Sequence, residues 1–274
     1  MNECMWRRRR LGAAALIAVL AMTAASAQTA APAAQQKPFE PQVGQGGKDV
    51  VWVPTPQALV EKMLDMAQVT ADDVVMDLGS GDGRNIIAAA KRGATAIGVE
   101  YNPDMVALSR SGAAAAGVSD KATFIEGDMF TADISKATVM ALFLLPNNLE
   151  RLRDTFMNLR PGTRMVLNTF GIPEWDADAR ETIAGDCVSW CTALLYYVPA
   201  KIAGTWASTI GTLQLTQSYQ MVMGTRGDQG ATVSVTGRLR GTSLTIDAGG
   251  QTLTGTVTGD RIDGQGWSAT RVTP

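Results

Sequence analysis

The feature that most constrains the fold is a glycine-rich turn between a short apolar run and a helical segment. Residues 74–78 have the length and composition of a buried strand, and residues 84–92 form an alanine-rich stretch typical of a helix. The turn between them is Asp77-Leu78-Gly79-Ser80-Gly81-Asp82-Gly83. Glycine allows sharp turns and a close approach of the backbone to a ligand, and a helix N-terminus presents free N–H groups. The segment therefore predicts a ligand site at the carboxyl end of a sheet strand.

The same alternation of strands and helices continues along the chain. Further strands are predicted at residues 94–100, 122–126, 138–145 and 164–170, and helices at 57–67, 103–116 and 149–159. The run 138–145 is almost wholly apolar, as expected of a parallel strand that is covered on both faces. Residues 188–198 supply strand-like sequence for an antiparallel edge. We therefore predict an α/β domain with a doubly wound, mostly parallel sheet over residues 50–203.

The composition changes near Gly204. From there to Pro274 the chain is dominated by Thr, Gly, Ser and Val in short alternating runs that are separated by glycine-rich turns. This pattern predicts a small antiparallel β appendage over residues 204–274, either a meander or a sandwich. We expect its aromatic residues Trp206, Tyr219 and Trp267 to form its own core, and a carbohydrate- or partner-binding face is the alternative.

The N-terminal segment has the pattern of an export signal. Four arginines at positions 7–10 precede an apolar run at 11–22, and Ala25-Ser26-Ala27 fits a cleavage site. We predict a signal peptide at residues 1–27 and a periplasmic or secreted protein, with an uncleaved anchor helix as the alternative. The apolar run is too short for an ordinary membrane span. Residues 28–49, rich in Ala, Gln, Pro and Gly, predict a flexible linker.

The charged and sulfur-containing residues exclude several classes of function. The chain has no histidine, which removes Ser-His-Asp and Cys-His nucleophile systems and all histidine-ligated metal sites. Cleavage after Ala27 leaves 20 basic and 25 acidic residues, a net charge of −5 without a basic run, so we predict no nucleic-acid partner. Cys187 and Cys191 remain. Two thiols without a histidine are too few ligands for a metal site, so we predict none. The two cysteines can form a disulfide if the backbone turns between them.

The residues around the turn distinguish two kinds of nucleotide ligand. In the dinucleotide pattern G-x-G-x-x-G, counted from Gly79, the third glycine falls at Arg84, which is far bulkier. Asp77 stands two residues before the first glycine, where a carboxylate repels a pyrophosphate but suits a cationic amino-acid group. The pattern favours S-adenosylmethionine over NAD.

Two further acids end neighbouring strands. Glu100 ends the second predicted strand, about twenty residues after the turn, where a carboxylate can accept hydrogen bonds from both ribose hydroxyls. Asp128 follows the third strand and can accept a hydrogen bond from an adenine amino group, with Met129 packing on the ring. Because the carboxyl ends of parallel strands meet at one edge of a sheet, we expect the three acids to lie together.

These motifs resemble those of class I S-adenosylmethionine-dependent methyltransferases over roughly residues 50–200. The segments 52–56 (WVPTP), 77–84 (DLGSGDGR) and 143–146 (FLLP) resemble, more narrowly, a bacterial group related to the ATP-synthase c-subunit lysine methyltransferases. The resemblance implies a Rossmann-like methyltransferase fold, S-adenosyl-L-methionine as cofactor and a protein lysine as acceptor. It also implies that Thr55 hydrogen-bonds at the methionine end. The cofactor-binding residues that we predict are Thr55, Asp77, Gly79, Ser80, Gly81, Gly83, Glu100, Asp128 and Met129.

The sequence gives fewer signals for the residues that bind the methyl acceptor. Asn147 and Asn148 follow the fourth predicted strand, where they can offer a carbonyl oxygen to an incoming amine. The alternative is that they cap the helix that begins at Leu149. The Asn/Asp-Pro-Pro-aromatic motif of many amine methyltransferases is missing here, which counts against a nucleobase amine. The alternative function is an exported nucleoside- or partner-binding protein with a methyltransferase-like domain and no catalysis.

Overall fold

The computed structural model describes residues 39–185, 187–228 and 230–272. The predicted signal peptide at residues 1–27 and the first part of the predicted linker lie outside the described residues. The described chain forms a seven-stranded sheet with helices, followed by a closed eight-stranded barrel. None of the helices in these ranges is long and apolar enough to cross a membrane.

The first part of the chain forms the sheet domain. Its described helices are α1 (Gln57–Met66), α2 (Arg84–Lys91), α3 (Pro103–Ala115) and α4 (Pro146–Met157). Its strands are β1 (Val74–Leu78), β2 (Thr95–Glu100), β3 (Ala122–Glu126), β4 (Val139–Leu142), β5 (Arg164–Asn168), β6 (Ala179–Thr182) and β7 (Thr192–Tyr197). The strand order is β3-β2-β1-β4-β5-β7-β6.

The sheet has the predicted doubly wound, mostly parallel topology. Strands β3, β2, β1, β4 and β5 are parallel, whereas β7 runs antiparallel to β5 and β6 antiparallel to β7. From β1 the chain first builds β2 and β3 on one side and later β4 and β5 on the other. The carboxyl ends of β1 and β4 therefore form the switch point at which ligands bind in open α/β sheets.

The apolar runs of the central strands serve two cores. Val75 of β1 and Val139 of β4 pack on the side of the sheet that α1, α2 and α3 cover, whereas Met76 and Met140 pack on the opposite side. Successive side chains of a strand point to opposite faces. Both faces of β1 and β4 are buried, which explains why these strands lack an alternating polar pattern.

The fourth strand and the following helix have different limits from those predicted. Strand β4 ends at Leu142 rather than at residue 145, and α4 begins at Pro146 rather than at Leu149. Proline suits the first helical position because its φ is fixed and no N–H partner is needed there. Asn147 and Asn148 consequently lie in the first turn of α4, and Leu145 is the N-cap residue. The alternative in which the asparagines cap a helix from Leu149 is wrong.

The antiparallel edge of the sheet carries a disulfide. Cys187 and Cys191 are bonded in the connection between β6 and β7, with their Cα atoms 5.9 Å apart. Strand β7 lies within the predicted strand-like stretch. Strand β6 was not predicted, because its four residues are largely exposed and polar.

The second part of the chain is the barrel. Its strands are β8 (Gly204–Ser208), β9 (Gly211–Ser218), β10 (Met221–Asp228), β11 (Ala231–Arg240), β12 (Ser243–Ala248), β13 (Thr252–Thr258), β14 (Arg261–Gly264) and β15 (Trp267–Arg271). Each strand pairs antiparallel with the next, and β15 pairs with β8 to close the ring. The predicted small antiparallel β structure is confirmed. Its meander closes into a barrel, which removes both open edges.

The aromatic residues of this part have two different surroundings. Trp206 and Trp267 are buried in the barrel core, as predicted. Tyr219 is not: its ring stacks on Trp175 of the sheet domain with centroids 5.5 Å apart. The prediction that Tyr219 belongs to the core of the appendage is therefore wrong, and this residue joins the two parts of the chain.

Candidate functional site

A cleft opens at the carboxyl ends of the central strands. It encloses about 640 Å³, open solvent at its mouth included, and a smaller pocket of about 400 Å³ adjoins it at the ends of β2 and β3. Gly79 and Glu100 line both spaces. The cleft and the pocket therefore adjoin each other at the carboxyl ends of β1 and β2, where ligands bind in open α/β sheets.

The glycine-rich turn forms one wall of the cleft. Gly79, Gly81 and Gly83 have φ angles of +70°, +56° and +79°, a region that residues with a side chain rarely adopt. The N–H groups of Gly79 and Ser80 donate to the carbonyl oxygen of Val99 at 2.8 and 3.0 Å. The turn is thereby fixed to the end of β2, and Gly79, Ser80 and Gly81 line the cleft.

At two of the glycines, the space that a side chain would occupy is filled by other residues of the protein. A Cβ atom on Gly81 would lie 2.9 Å from Nε1 of Trp52, and one on Gly83 would lie 2.6 Å from the ring of Phe124. Gly83 lies outside the walls of both the cleft and the pocket. In the structure the backbone conformation of Gly83 starts α2 and lets the turn pack on β3.

Asp77 lies on the floor of the cleft and is almost completely buried. The side-chain amide of Asn85 donates to its Oδ2 atom at 2.9 Å. Burial raises the pKa of the Asp77 carboxyl well above its ordinary value, and the negative charges of Glu100 and Asp82 raise this pKa further, whereas the hydrogen bond from Asn85 lowers it. A group that is costly to ionise and faces a cleft is a candidate for binding a cation.

Glu100 is held at the end of β2 by two backbone donors. The N–H of Gly81 donates to Oε2 and the N–H of Asn102 donates to Oε1, each at 2.9 Å. Each carboxylate oxygen has two lone pairs, so both oxygens keep the capacity to accept a further hydrogen bond. The carboxylate is thus fixed in position and open to a ligand in the cleft.

Asp128 and Met129 line the smaller pocket. The N–H of Phe130 donates to Oδ1 of Asp128 at 2.9 Å, and Nζ of Lys48 donates to Oδ2 at 2.6 Å. The hydrogen bond and charge of Lys48 hold the pKa of Asp128 below its ordinary value, together with the hydrogen bond from Phe130. The three acids that end β1, β2 and β3 therefore face one continuous space, because Glu100 is common to the cleft and the pocket.

Residues 44–52 form a loop over the cleft, which we call the cover loop. The N–H of Gly44 donates to the carbonyl oxygen of Trp52 at 2.8 Å, and the N–H of Trp52 donates to that of Gln45 at 2.9 Å. Sequence analysis placed residues up to 49 in the linker. In the structure the cover loop supplies walls of the cleft, including Gly46, Gly47 and Trp52.

The Pro-Thr-Pro segment follows the cover loop and forms a further part of the rim, where Thr55 is buried and lines the cleft. Its Oγ1 atom accepts a hydrogen bond from Nδ2 of Asn168 at 3.2 Å. Its carbonyl oxygen accepts from Nη1 of Arg84 at 2.6 Å, and Arg84 also pairs with Asp82. The bulky residue in place of a third glycine therefore connects this rim to the glycine-rich turn.

Two buried oxygens at the cleft have no hydrogen-bond partner among the residues that the structure describes. Ser80 Oγ and Asn85 Oδ1 are of this kind, and both residues line the cleft. Buried polar atoms in folded proteins nearly always have a hydrogen-bond partner. With three carboxylates and these oxygens, the site fits a polar ligand that carries positive charge, as S-adenosylmethionine does.

Comparison with known proteins identifies the family. Residues 77–179 match the ANTKMT methyltransferase domain. A protein-lysine N-methyltransferase of Saccharolobus islandicus is 43% identical over 130 residues, which are 46% of this chain and 81% of that protein. A crystal structure of an RNA methyltransferase from Salinibacter ruber with S-adenosyl-L-homocysteine is 42% identical, with a TM-score of 0.51. It covers 55% of this chain and 96% of that one.

The chain belongs to the ANTKMT methyltransferase family. It is an S-adenosylmethionine-dependent methyltransferase, as the resemblance of its motifs implied, and the alternative of a binding protein without catalysis is not favoured. A human lysine N-methyltransferase that is named for the ATP-synthase c-subunit is 34% identical over 128 residues. The match covers 46% of this chain and 54% of the human protein. The barrel lies outside the residues that match the methyltransferase domain.

The structure of this methyltransferase does not bring the two predicted acceptor residues to the cleft. Asn147 is exposed on α4, and neither Asn147 nor Asn148 is among the residues that line the cleft or the pocket. Asn148 is buried, and its Nδ2 atom donates to the carbonyl oxygen of Asp49 at 3.2 Å. In this position Asn148 holds the cover loop in place.

Sequence analysis missed two residues that line the cleft, Trp52 and Asn85, and also Asn168, whose Nδ2 atom donates to Thr55. Asn168 carried a usable signal, because it is a polar residue at the end of the apolar strand β5, as Glu100 is for β2. Asn85 had a weaker one, since it is the second residue of α2, directly after the glycine-rich turn. Trp52 belongs to the segment 52–56 that carried the resemblance, but its contact with Gly81 joins segments that are distant in the sequence and had no local signal.

Proposed function

We propose that this methyltransferase transfers a methyl group to the side-chain amine of a protein lysine. The cofactor part of the proposal is carried by the carboxylates at the ends of β1, β2 and β3, which face the cleft and the pocket that adjoins it. The lysine acceptor is supported by the relatives that are named as lysine methyltransferases. The residues that would hold S-adenosylmethionine are Thr55, Asp77, Gly79, Ser80, Gly81, Glu100, Asp128 and Met129.

Each acid has a distinct part in this proposal. Asp77, on the cleft floor, would bind the positively charged methionine end, and a cation there would stabilise its ionised form. Glu100 would accept hydrogen bonds from the ribose hydroxyls through its remaining lone pairs. Asp128 would accept from the adenine amino group, and Met129 would pack on the ring.

Methyl transfer to an amine needs alignment and exclusion of water more than it needs a strong base. When bound, S-adenosylmethionine supplies an electrophilic methyl carbon on a sulfonium. The lone pair of the acceptor amine would form the new N–C bond while the electrons of the S–C bond return to sulfur, and the amine would then lose a proton to solvent. Apolar walls such as Phe143, which lines the cleft, would lower the pKa of the acceptor lysine and favour its neutral form.

Charge favours a protein acceptor over RNA, although one relative is described as an RNA methyltransferase. Lys48 and Arg84 at the cleft are paired with Asp128 and Asp82, and Arg151 lies 3.7 Å from a carboxylate oxygen of Asp49. Binding to a phosphate backbone depends on lysines and arginines that are available to the phosphates. The relatives named as lysine methyltransferases support the same choice.

A methyl-transfer assay tests the acceptor. The purified protein is incubated with S-adenosylmethionine that carries a tritiated methyl group, and with total cell protein and total RNA as separate substrates. We expect label in protein, recovered as methylated lysine after acid hydrolysis, and loss of label in Glu100→Ala. Glu126→Ala is the matched control, because Glu126 is an exposed carboxylate at the end of β3 outside the cleft. Label confined to RNA would overturn the lysine assignment.

We also propose that the protein is exported and cleaved after Ala27. The arginine cluster and apolar run support this, as does the Cys187–Cys191 disulfide, because disulfides persist in oxidising compartments. Cell fractionation followed by N-terminal sequencing tests it. We expect the mature chain in the periplasm or the medium to begin at Gln28. Recovery of an uncleaved chain in the cytoplasm would refute export.

A further inference from the structure

Three aromatic rings lie together beside the cleft. Phe143 follows β4, Phe170 follows β5, and Trp190 belongs to the disulfide-bonded connection between β6 and β7. The ring centroid of Phe143 lies 6.2 Å from that of Phe170 and 6.0 Å from that of Trp190, and those of Phe170 and Trp190 are 5.2 Å apart. Because Phe143 is also a wall of the cleft, the aromatic cluster is continuous with the proposed cofactor site.

The disulfide holds Trp190 in this cluster. Trp190 lies within the ring that the Cys187–Cys191 bond closes, and its φ angle is +60°. A bulky residue adopts this left-handed conformation only where its surroundings impose it. Its neighbour Val188 is 99% exposed, whereas Trp190 is 39% exposed. The short bonded loop thus directs its tryptophan to the two phenylalanines and leaves the valine in solvent.

The chemistry of the cluster suits an alkylammonium group. Aromatic faces attract lysine and its methylated forms through cation–π interactions and pack on the alkyl stem. The adjoining cleft adds the carboxylate of Glu100 and, when a bound cation keeps it ionised, that of Asp77. A nucleic-acid base would also stack on such rings, but its phosphates would meet these carboxylates.

We propose that Phe143, Phe170 and Trp190 form the acceptor subsite, which binds the side chain of lysine and its methylated forms, and that the Cys187–Cys191 disulfide positions Trp190 within it. This inference rests on the proposed lysine methyltransferase activity. The disulfide-bonded connection lies outside residues 77–179, which match the methyltransferase domain, so the positioning of Trp190 is a property of this chain beyond that domain.

A fluorine NMR titration tests the subsite without a known protein acceptor. The protein is labelled with 5-fluorotryptophan, and the Trp190 resonance is assigned by its loss in Trp190→Phe. The probe is Nα-acetyl-Nε-trimethyl-lysine amide, added with S-adenosylhomocysteine present. We expect a saturable shift of the Trp190 resonance, and about tenfold weaker binding of the neutral analogue with carbon in place of the ammonium nitrogen. Phe170→Leu should weaken binding of the probe, whereas Val188→Ala should not.

Three results would overturn the subsite: no response of Trp190 to the probe, an equal response to the neutral analogue, or a saturable response to adenosine monophosphate in place of the probe. The affinity for S-adenosylmethionine separates this inference from the proposed function. If the cofactor binds and the probe does not, the subsite alone fails. If the wild-type protein binds no cofactor, the proposed function fails.

The role of the disulfide is tested by the same titration on the double variant Cys187→Ser with Cys191→Ser. Loss of preorganisation should weaken binding of the probe by about fivefold, while the Kd for S-adenosylmethionine stays unchanged. Chemical reduction of the wild-type protein should reproduce this effect and reoxidation should reverse it. Equal affinity for the probe with and without the disulfide would contradict the positioning of Trp190.

Discussion

Asp77 is a carboxylic acid at the floor of a cleft, in a place where the ionised form is poorly solvated. Its burial raises its pKa, and the neighbouring charges of Glu100 and Asp82 raise this pKa further. The proposed function needs the charged form, which a cationic ligand would stabilise. Cofactor affinity and the stability of the empty protein should therefore respond to pH in opposite directions.

The replacement Asp77→Asn tests this relation. Because the folded state keeps the Asp77 proton to higher pH than the unfolded state, the wild-type free energy of unfolding should fall as pH rises above about 3.9 towards the raised pKa. Asparagine does not titrate, so the variant should lack this fall and be the more stable protein at neutral pH without cofactor. It should bind S-adenosylmethionine about 2 kcal/mol more weakly.

Two measurements check the prediction. Denaturant unfolding across pH gives the stability difference between Asp77→Asn and the wild type, and calorimetry gives the affinities. The affinity of the wild type should rise with pH over the same window in which its stability falls, since ionised Asp77 binds the cation. A variant with wild-type affinity at every pH would remove Asp77 from the site.

At the scale of elements, the start of α2 depends on how closely the glycine-rich turn approaches β3. Gly83 has a φ angle of +79°, and a Cβ atom at this position would lie 2.6 Å from the ring of Phe124. The glycine here is required by packing between a helix and a strand. A change at Gly83 should therefore affect stability before it affects ligand binding.

We expect Gly83→Ala to lower the free energy of unfolding by about 3–5 kcal/mol, from the left-handed backbone and from overpacking together. Gly117→Ala is the matched control. Gly117 has a φ angle of +70° and nothing within 4 Å of the position of a Cβ atom. Gly117→Ala should lower the free energy of unfolding by about 1–2 kcal/mol, which is the contribution of the left-handed backbone alone. Equal losses in the two variants, measured by denaturant unfolding, would rule out the contact with Phe124.

Elements with a local signal were predictable from the sequence. The apolar strands, the glycine-rich turn and the acids at the strand ends were recognised because period, composition and position along the chain are local properties. The acids then came together because parallel strands end at one edge of the sheet. The same reasoning applies to Asn168, which ends β5, but its contact with Thr55, 113 residues away in the sequence, had no local signal.

The first part of the cover loop, residues 44–49, had no local signal. These six residues are polar or glycine, which is the composition of a linker, and the order of this segment comes from contacts across the fold. Lys48 binds Asp128 from 80 residues away, and Asn148 binds the carbonyl oxygen of Asp49 from 99 residues away. For the same reason Asn148 was assigned to the acceptor rather than to the loop.

At the scale of the whole molecule, the barrel contacts the sheet domain at more than one place: Arg240 donates to the hydroxyl of Tyr197 at 3.0 Å, and a further group of contacts lies after β5. Tyr219 stacks on Trp175, Arg238 pairs with Asp178 at 2.8 Å, and Gln220 donates to the carbonyl oxygen of Asp176 at 2.7 Å. These contacts lie around residues 175–178, after β5. They connect the two parts without forming walls of the cleft.

Tyr219→Ala should therefore weaken the junction and leave the site intact. Loss of the ring stacking should lower the free energy of unfolding by about 1–2 kcal/mol, while the Kd for S-adenosylmethionine stays within error of the wild type. Met223→Ala, which removes a side chain that is 61% exposed on the barrel, is the control and should change neither quantity. A loss of cofactor affinity in Tyr219→Ala would show that the barrel acts on the cleft.

The binding of S-adenosylmethionine, measured by isothermal titration calorimetry, tests the central claim most directly. We predict one site per chain in the wild type, and an affinity lower by about 2–3 kcal/mol in Glu100→Ala, which loses charge-assisted hydrogen bonds. The control Glu126→Ala should bind as the wild type does. Wild-type affinity in Glu100→Ala, or no binding to the wild-type protein, would contradict the assignment of the cleft to the cofactor.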